Sequence, residues 1–192
     1  MMPDDDDRPP ADGPTRVGQA VAALTSISRG PGLLDAGDDV AHVSEPIPIY
    51  SIGEPRRDSK PDTLLERAHR IGWRYLVFQN DGLNVADIKP GPSDRPELIR
   101  SDDLVQQIVA AGKFAEKKVG DISSFSVRLL DLSILGQSVL WLASKRGDHA
   151  DRFFSLGPTA EELSPDEFLH RMSEAERQKA AAFANTSAEA GG

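Results

Sequence analysis

The sequence predicts an α+β fold, in which two helices pack on one face of a mostly antiparallel sheet. A C-terminal helix and a disordered acidic N-terminus complete the predicted arrangement. Two observations favour this class: the local patterns between residues 46 and 160 follow the order β-α-β-β-α-β-β-β, and nine of the eleven aromatic side chains lie in that stretch. Because large rings contribute much of the buried area of a core, and mixed helices and hairpins are typical of α+β proteins, we expect the folded domain there.

Charge divides the chain in the same way. Of the net charge of −9 on the 192 residues, residues 1–45 contribute −6, residues 46–160 contribute +1 and residues 161–192 contribute −4. The acidic side chains therefore belong to the flanks. We expect 1–45 to be an acidic, largely disordered segment, 46–160 a single domain, 161–184 a helix and 185–192 a disordered tail.

Composition excludes several classes of protein. Without cysteine the chain has no disulfide, no cysteine-ligated zinc and no thiol nucleophile. The acidic balance disfavours nucleic acid as a partner, because the phosphate backbone selects clustered Lys and Arg. No window approaches the roughly 18 apolar residues of a membrane span, and the run Asp4 to Asp7 is the opposite of a basic secretory leader. We expect a soluble, cytoplasmic protein.

Hydrophobic spacing and turn residues place the elements of the first half of the chain. Pro61 suits the first turn of a helix and Gly72 its end, while Asn80-Asp81-Gly82 is typical of a tight hairpin turn. The expected elements are a short helix over Thr15 to Ser28, an edge strand over Pro46 to Ile52, a helix over Asp62 to Ile71, a central strand over Trp73 to Phe78 and its hairpin partner over Leu83 to Ile88.

The second half begins with a longer helix over Asp102 to Lys118. Ser101 is a good N-cap for it, and Gly120 is a plausible stop. The expected strands that follow are Phe125 to Ile134, Gln137 to Ser144 and Arg152 to Leu156, with a polar turn over Lys145 to Asp151.

The C-terminal flank contains a capping box at Ser164-Pro165-Asp166-Glu167, which predicts a helix that runs to about Ala184. Phe168, Met172 and Phe183 belong to its thin apolar stripe. Such a helix packs on its own domain or lies in a groove of a partner. We therefore take these three side chains as candidate partner contacts.

Residues with catalytic chemistry are few. Asp148-His149-Ala150-Asp151 is the one compact cluster of histidine and carboxylates, and as a polar turn it requires no function. There is no Gly-x-Ser-x-Gly elbow, and Gly30-Pro31-Gly32 lacks the Lys-Ser/Thr of a phosphate-binding loop. The sequence therefore predicts no catalytic residue, no metal site and no cofactor.

Four polar residues could line a pocket between sheet and helices: Arg74, Arg128, Asp131 and His149. Arg128 and Asp131 are three residues apart on one strand, so they point to opposite faces. On that spacing Arg128 shares a face with Leu130 and Leu132, and Asp131 with Val127 and Leu129. The outer edge of a half-covered sheet explains both equally well.

These observations favour a non-catalytic protein that binds another protein, of the chaperone, immunity or assembly-factor type. The alternative is a small enzyme or small-ligand binder, which requires at least two of the four pocket residues to converge within hydrogen-bond reach. The sequence contains no signal for the oligomeric state.

Overall fold

The computed structural model describes residues 8–29, 42–53, 57–58, 60–79, 82–90, 95–132, 137–147 and 149–189. These residues form an α+β protein with mostly antiparallel strand pairs, as the sequence predicts. The helices are α1 (Gly13–Arg29), α2 (Asp102–Val119) and α3 (Pro165–Glu189). The strands are β1 (His42–Val43), β2 (Ile47–Ser51), β3 (His69–Gln79), β4 (Gly82–Ile88), β5 (Glu97–Arg100), β6 (Phe125–Leu132), β7 (Gln137–Ser144), β8 (Arg152–Ser155) and β9 (Glu162–Leu163).

The chain divides into two compact units. The first unit consists of Met1–Pro48 with Ile71–Gln106, and the second of Ile49–Arg70 with Gln107–Gly192. Each expected flank thus contributes a helix to a unit: α1 belongs to the first and α3 to the second.

The first unit is built on the antiparallel hairpin of β3 and β4, which confirms the expected hairpin. Its register runs from Trp73 opposite Ile88 to Gln79 opposite Gly82. β5 pairs with β4 and β1 with β3, both antiparallel.

Helix α1 covers one face of this hairpin. Val17 and Val21 are 0% and 4% exposed, and they pack with Trp73, Tyr75 and Val77 in one apolar cluster. The helix expected over 15–28 is therefore confirmed, and burial on the strands supplies the stability that so short a helix lacks alone. The rest of the expected disordered segment falls largely on 1–7 and 30–41, which lie outside the described residues.

The helix expected over Asp62 to Ile71 is wrong. Two 3₁₀ turns, Pro61–Thr63 and Leu65–Arg67, replace it, and β3 already begins at His69. Gly72 does not end a helix but lies buried in β3, where a Cβ atom would stand 2.7 Å from the carbonyl oxygen of Ile88. Tertiary pairing of the strand thus overrides a local helical spacing.

The second unit pairs β2 with β6 in parallel, with Tyr50 opposite Leu130, and continues antiparallel through β7, β8 and β9. Phe153 and Phe154 are both 0% exposed, although adjacent strand residues point to opposite faces. Phe153 meets Phe168 of α3, with ring centroids 4.6 Å apart, whereas Phe154 meets Phe114 of α2 at 6.1 Å. Helices α2 and α3 therefore contact opposite faces of the strands in this unit.

The ends of α2 are as the sequence predicts. The Leu104 amide donates to the Ser101 hydroxyl at 3.3 Å, and Gly120 follows the helix with φ of 76°. Glycine suits this left-handed position because it has no Cβ.

Helix α3 begins at Pro165, directly after the expected N-cap Ser164, and continues beyond Ala184 to Glu189. Helical backbone thus occupies most of the tail that was expected to be disordered, and 190–192 lie outside the described residues. An ion pair between Arg67 and Glu176 links α3 to the second 3₁₀ turn. β5 and β9 have no counterpart among the expected elements, because strands of four and two residues are too short for a readable period.

Candidate functional site

An open cleft of about 540 Å³ lies in the second unit. Its walls come from the end of α2, the start of β6, the turn before β8, strand β9 and the first residue of α3. The lining residues are Val119, Asp121, Ser124, Phe125, His149, Ala150, Asp151, Arg152, Glu162 and Pro165. Ligand pockets commonly have volumes of about 300–1,000 Å³, so this cleft has room for a few side chains.

Asp121 forms one wall and caps the 3₁₀ turn Ile122–Ser124. Its Oδ1 accepts from the Ser123 amide at 3.0 Å and from the Ser123 hydroxyl at 2.6 Å, and its Oδ2 accepts from the Ser124 hydroxyl at 3.5 Å. The hydrogen bond from the Ser123 hydroxyl, followed by that from the Ser123 amide, lowers the pKa of this carboxyl below its ordinary 3.8. Asp121 is therefore anionic at neutral pH and held in one orientation.

Asp151 forms the opposite side of the turn and ties it to β7. Its Oδ2 accepts from the indole Nε1 of Trp141 and its Oδ1 from the Ser144 amide, both at 2.9 Å. Because Trp141 is 4% exposed, the indole N–H needs a partner, and Asp151 satisfies it. This carboxylate fixes the wall of the cleft.

Arg152 and Glu162 join the wall across β8 and β9. The Arg152 Nε donates to Glu162 Oε1 at 2.6 Å, and the guanidinium carbon lies 5.8 Å from the centroid of the Phe154 ring. The pair is about one third exposed, so screening by water keeps its contribution to stability small.

The imidazole of His149 supplies the flat apolar part of the cleft. It stacks on Phe125 with ring centroids 5.6 Å apart and an interplanar angle of 28°. Phe125 is buried, whereas His149 as a whole is exposed.

Among the described residues, the lining of the cleft thus combines three carboxylates, one guanidinium and an aromatic stack, and each carboxylate is already bonded to its surroundings. Such fixed acceptors can bind a cationic group without rearranging. Within the described part of the chain, no group of three or more His, Asp or Glu residues could hold a metal ion.

Of the four residues expected to line a pocket, the structure places one in the first unit and three in the second. Arg74 belongs to the first unit, where its Nε and one terminal nitrogen donate to the two oxygens of Asp87 at 2.8 and 2.7 Å. His149 lies in the cleft. Arg128 lies over the rings of Tyr50 and Trp141. Asp131 stands opposite Ser138 and is not among the residues that line the cleft.

Two of the three expected partner contacts on α3 lie in a core cluster. Phe168 and Met172 are 6% and 1% exposed and belong to the apolar core of the second unit. Phe183 lies on α3 beyond the side chains that the structure describes. A contact of these residues with a partner stays a prediction.

Sequence reasoning missed most of the cleft. Asp121-Ile122-Ser123 carries a local signal, since an aspartate two residues before a serine often caps a turn. Glu162 and Arg152 carry none, because their pairing depends on β8 and β9 lying side by side.

No family model, no curated protein and no solved structure matches the chain. Among the described residues, no helix is long and apolar enough to cross a membrane.

Proposed function

We propose that this chain is a non-catalytic binding protein, and that the cleft of the second unit receives a segment of a partner protein that carries a basic side chain. The observation that carries the proposal is the set of fixed carboxylates in an open cleft. Asp121, Asp151 and Glu162 outnumber the one guanidinium, Arg152, so the lining favours a cation.

The chemistry of the walls supports binding over turnover. General acid–base catalysis uses a group whose pKa lies near the working pH, whereas the serine bonds hold the pKa of Asp121 below its ordinary value. The carboxylate of Asp151 is occupied by an indole and an amide. These groups suit recognition of a charge at a fixed position.

The stack of His149 on Phe125 adds selectivity to this charge recognition. A planar guanidinium or an aromatic side chain can lie against the exposed imidazole. We therefore expect the bound segment to combine a lysine or arginine with a neighbouring flat side chain.

A binding measurement with two matched aspartate variants tests the proposal. The probe is a short fluorescein-labelled peptide that contains lysine and phenylalanine, titrated with the protein and followed by fluorescence anisotropy. Asp121→Asn keeps a capping oxygen but removes the charge, and it should weaken binding about two- to fivefold, as expected for an exposed charge pair. Asp131→Asn removes the same charge outside the cleft and should change nothing.

Addition of His149→Ala to Asp121→Asn should weaken binding further, because the flat surface is lost with the charge. Equal affinity of the parent and of the Asp121→Asn variant, or an equal loss in the Asp131→Asn control, would contradict the proposal. Circular dichroism of each variant shows whether the fold is retained.

A further inference from the structure

Arg128 differs from three other half-buried arginines, each of which pairs with a carboxylate. Arg67 pairs with Glu176, Arg74 with Asp87 and Arg152 with Glu162. The Arg128 guanidinium has no carboxylate and no other hydrogen-bond partner among the described residues.

Two aromatic rings hold this guanidinium in place. Its central carbon lies 4.7 Å from the ring centroid of Tyr50 and 4.7 Å from that of Trp141. The two rings meet edge to face, with centroids 5.5 Å apart and an interplanar angle of 79°. Trp141 stands opposite Arg128 on β7, and Tyr50 lies on β2, the other neighbour of β6. The rings come from the strands on both sides, so they limit the motion of the long side chain.

Contact with ring faces leaves the donor edges of a guanidinium unused. The electrons of a ring attract the cation, but they accept hydrogen bonds from few of its five N–H groups. The phenolic hydroxyl of Tyr50 likewise has no hydrogen-bond partner within the described part of the chain. The guanidinium and the hydroxyl of the Tyr50 ring that it contacts are therefore both donors without an acceptor among the described residues.

We propose that Arg128, supported by Tyr50 and Trp141, is a binding site for a single carboxylate group. A guanidinium donates two parallel hydrogen bonds to the two oxygens of a carboxylate, and one positive charge balances one negative charge. A phosphate dianion requires more cationic groups, and none contacts Arg128 among the described residues. This site goes beyond the proposed function, since Arg128 does not line the cleft, although Trp141 contacts both Arg128 and Asp151 of the cleft wall.

Trp141 provides the signal for a direct test. A Trp73→Phe variant leaves Trp141 as the one indole of the chain, and its emission is followed during titration with acetylglutamate amide at low salt. The matched uncharged probe is acetylglutamine amide. Acetate supplies a free carboxylate, and inorganic phosphate supplies a tetrahedral anion.

We expect a saturable change of emission with acetylglutamate amide and none with acetylglutamine amide. Tighter binding of acetylglutamate amide than of acetate indicates an acidic side chain of a protein as the source of the carboxylate, and equal binding indicates a small carboxylic acid. In the same background, Arg128→Gln should weaken binding at least about tenfold, because the charge and the bidentate bond are lost together. Tyr50→Phe should weaken it about twofold.

Arg171→Gln is the matched control, since Arg171 is an exposed arginine on α3 that pairs with Glu167. It removes the same charge and should leave the titration unchanged. Arg128→Lys keeps the charge but not the two parallel donors, so we expect it to weaken binding less than Arg128→Gln does. This variant provides the test if Arg128→Gln does not fold. An unchanged titration in a folded Arg128→Gln or Arg128→Lys variant would overturn the proposal. Absence of any saturable change in the parent, or binding of phosphate as tight as that of acetylglutamate amide, would overturn it as well.

Discussion

The two units differ in the groups that contact their half-buried charged side chains. In the first unit, Arg74 donates hydrogen bonds to both carboxylate oxygens of Asp87. The side chain of Arg74 is 12% exposed and that of Asp87 is 8% exposed, so the pair faces inward. In the second unit, Arg67 and Glu176 form a similar inward pair, whereas the Arg128 guanidinium lies over two aromatic rings and His149 stacks on Phe125. We therefore expect the ion pair of the first unit to contribute to stability, and the proposed recognition of a partner to depend on side chains of the second unit.

Loss of one member of an inward ion pair should have the largest effect on stability. Removal of one partner of a buried pair leaves the other charge without compensation, which costs about 3–5 kcal/mol. We expect Glu176→Ala and Asp87→Ala each to lower the free energy of unfolding by about 3 kcal/mol, since the arginines keep some access to water. Urea denaturation followed by circular dichroism measures the loss.

A paired replacement separates the cost of an orphaned charge from that of lost packing. Arg67→Met with Glu176→Leu should recover most of the stability, because apolar side chains of similar volume can replace a buried pair. A loss below about 1 kcal/mol in Glu176→Ala would contradict the inward role of this pair.

A smaller effect is expected where α1 meets the first unit. A Cβ atom at Gly13 would collide with the phenolic end of Tyr75. Gly13→Ala should therefore cost about 2 kcal/mol, as is typical of overpacking. The cost should shrink in a Tyr75→Phe background, where the hydroxyl is absent but the ring remains. Thermal unfolding of the two single variants and the double variant gives this coupling, and strict additivity would show that α1 does not rest on Tyr75.

These contacts also show where sequence reasoning succeeds and fails. Helix α2 was predictable because its signals are local: Ser101 before it, acidic residues in its first turn and Gly120 after it. The helix expected over 62–71 failed because His69 to Gly72 belong to a long strand. A sequence window does not reveal that Gly72 lies against the carbonyl group of Ile88.

The candidate site was less predictable than the fold. His149 was found because it stands beside aspartates in the sequence. Arg128 was placed correctly on one face with Leu130 and Leu132, both of which lie in the core. The rings that surround it come from β2 and β7, so no local pattern indicated them.

The smallest effect concerns the Tyr75 hydroxyl, which is buried without a hydrogen-bond partner among the described residues. Tyr75→Phe should raise the free energy of unfolding by up to about 1 kcal/mol at neutral pH, because no bond is lost and a buried polar group is removed.

The same variant should change the response to alkali. Burial, with a further contribution from Asp12, raises the pKa of Tyr75 above its ordinary 10.0. The unfolded chain therefore releases this proton first as the pH rises, so the parent loses stability above about pH 10. Between about pH 9 and pH 11, the range around the ordinary pKa of tyrosine, the free energy of unfolding of Tyr75→Phe should fall less steeply than that of the parent. Urea denaturation at each pH measures both curves. Parallel curves for the two proteins would contradict the burial of the phenol.

The two tryptophans allow the most direct test of the difference between the units. Trp73 belongs to the first unit, and Trp141 donates its indole N–H to Asp151 in the wall of the cleft. In a ¹H–¹⁵N spectrum of the full chain, addition of the lysine–phenylalanine peptide should shift the indole signal of Trp141 and leave that of Trp73 in place. A shift of Trp73 alone, or no shift of either signal at saturating peptide, would contradict the assignment of recognition to the second unit.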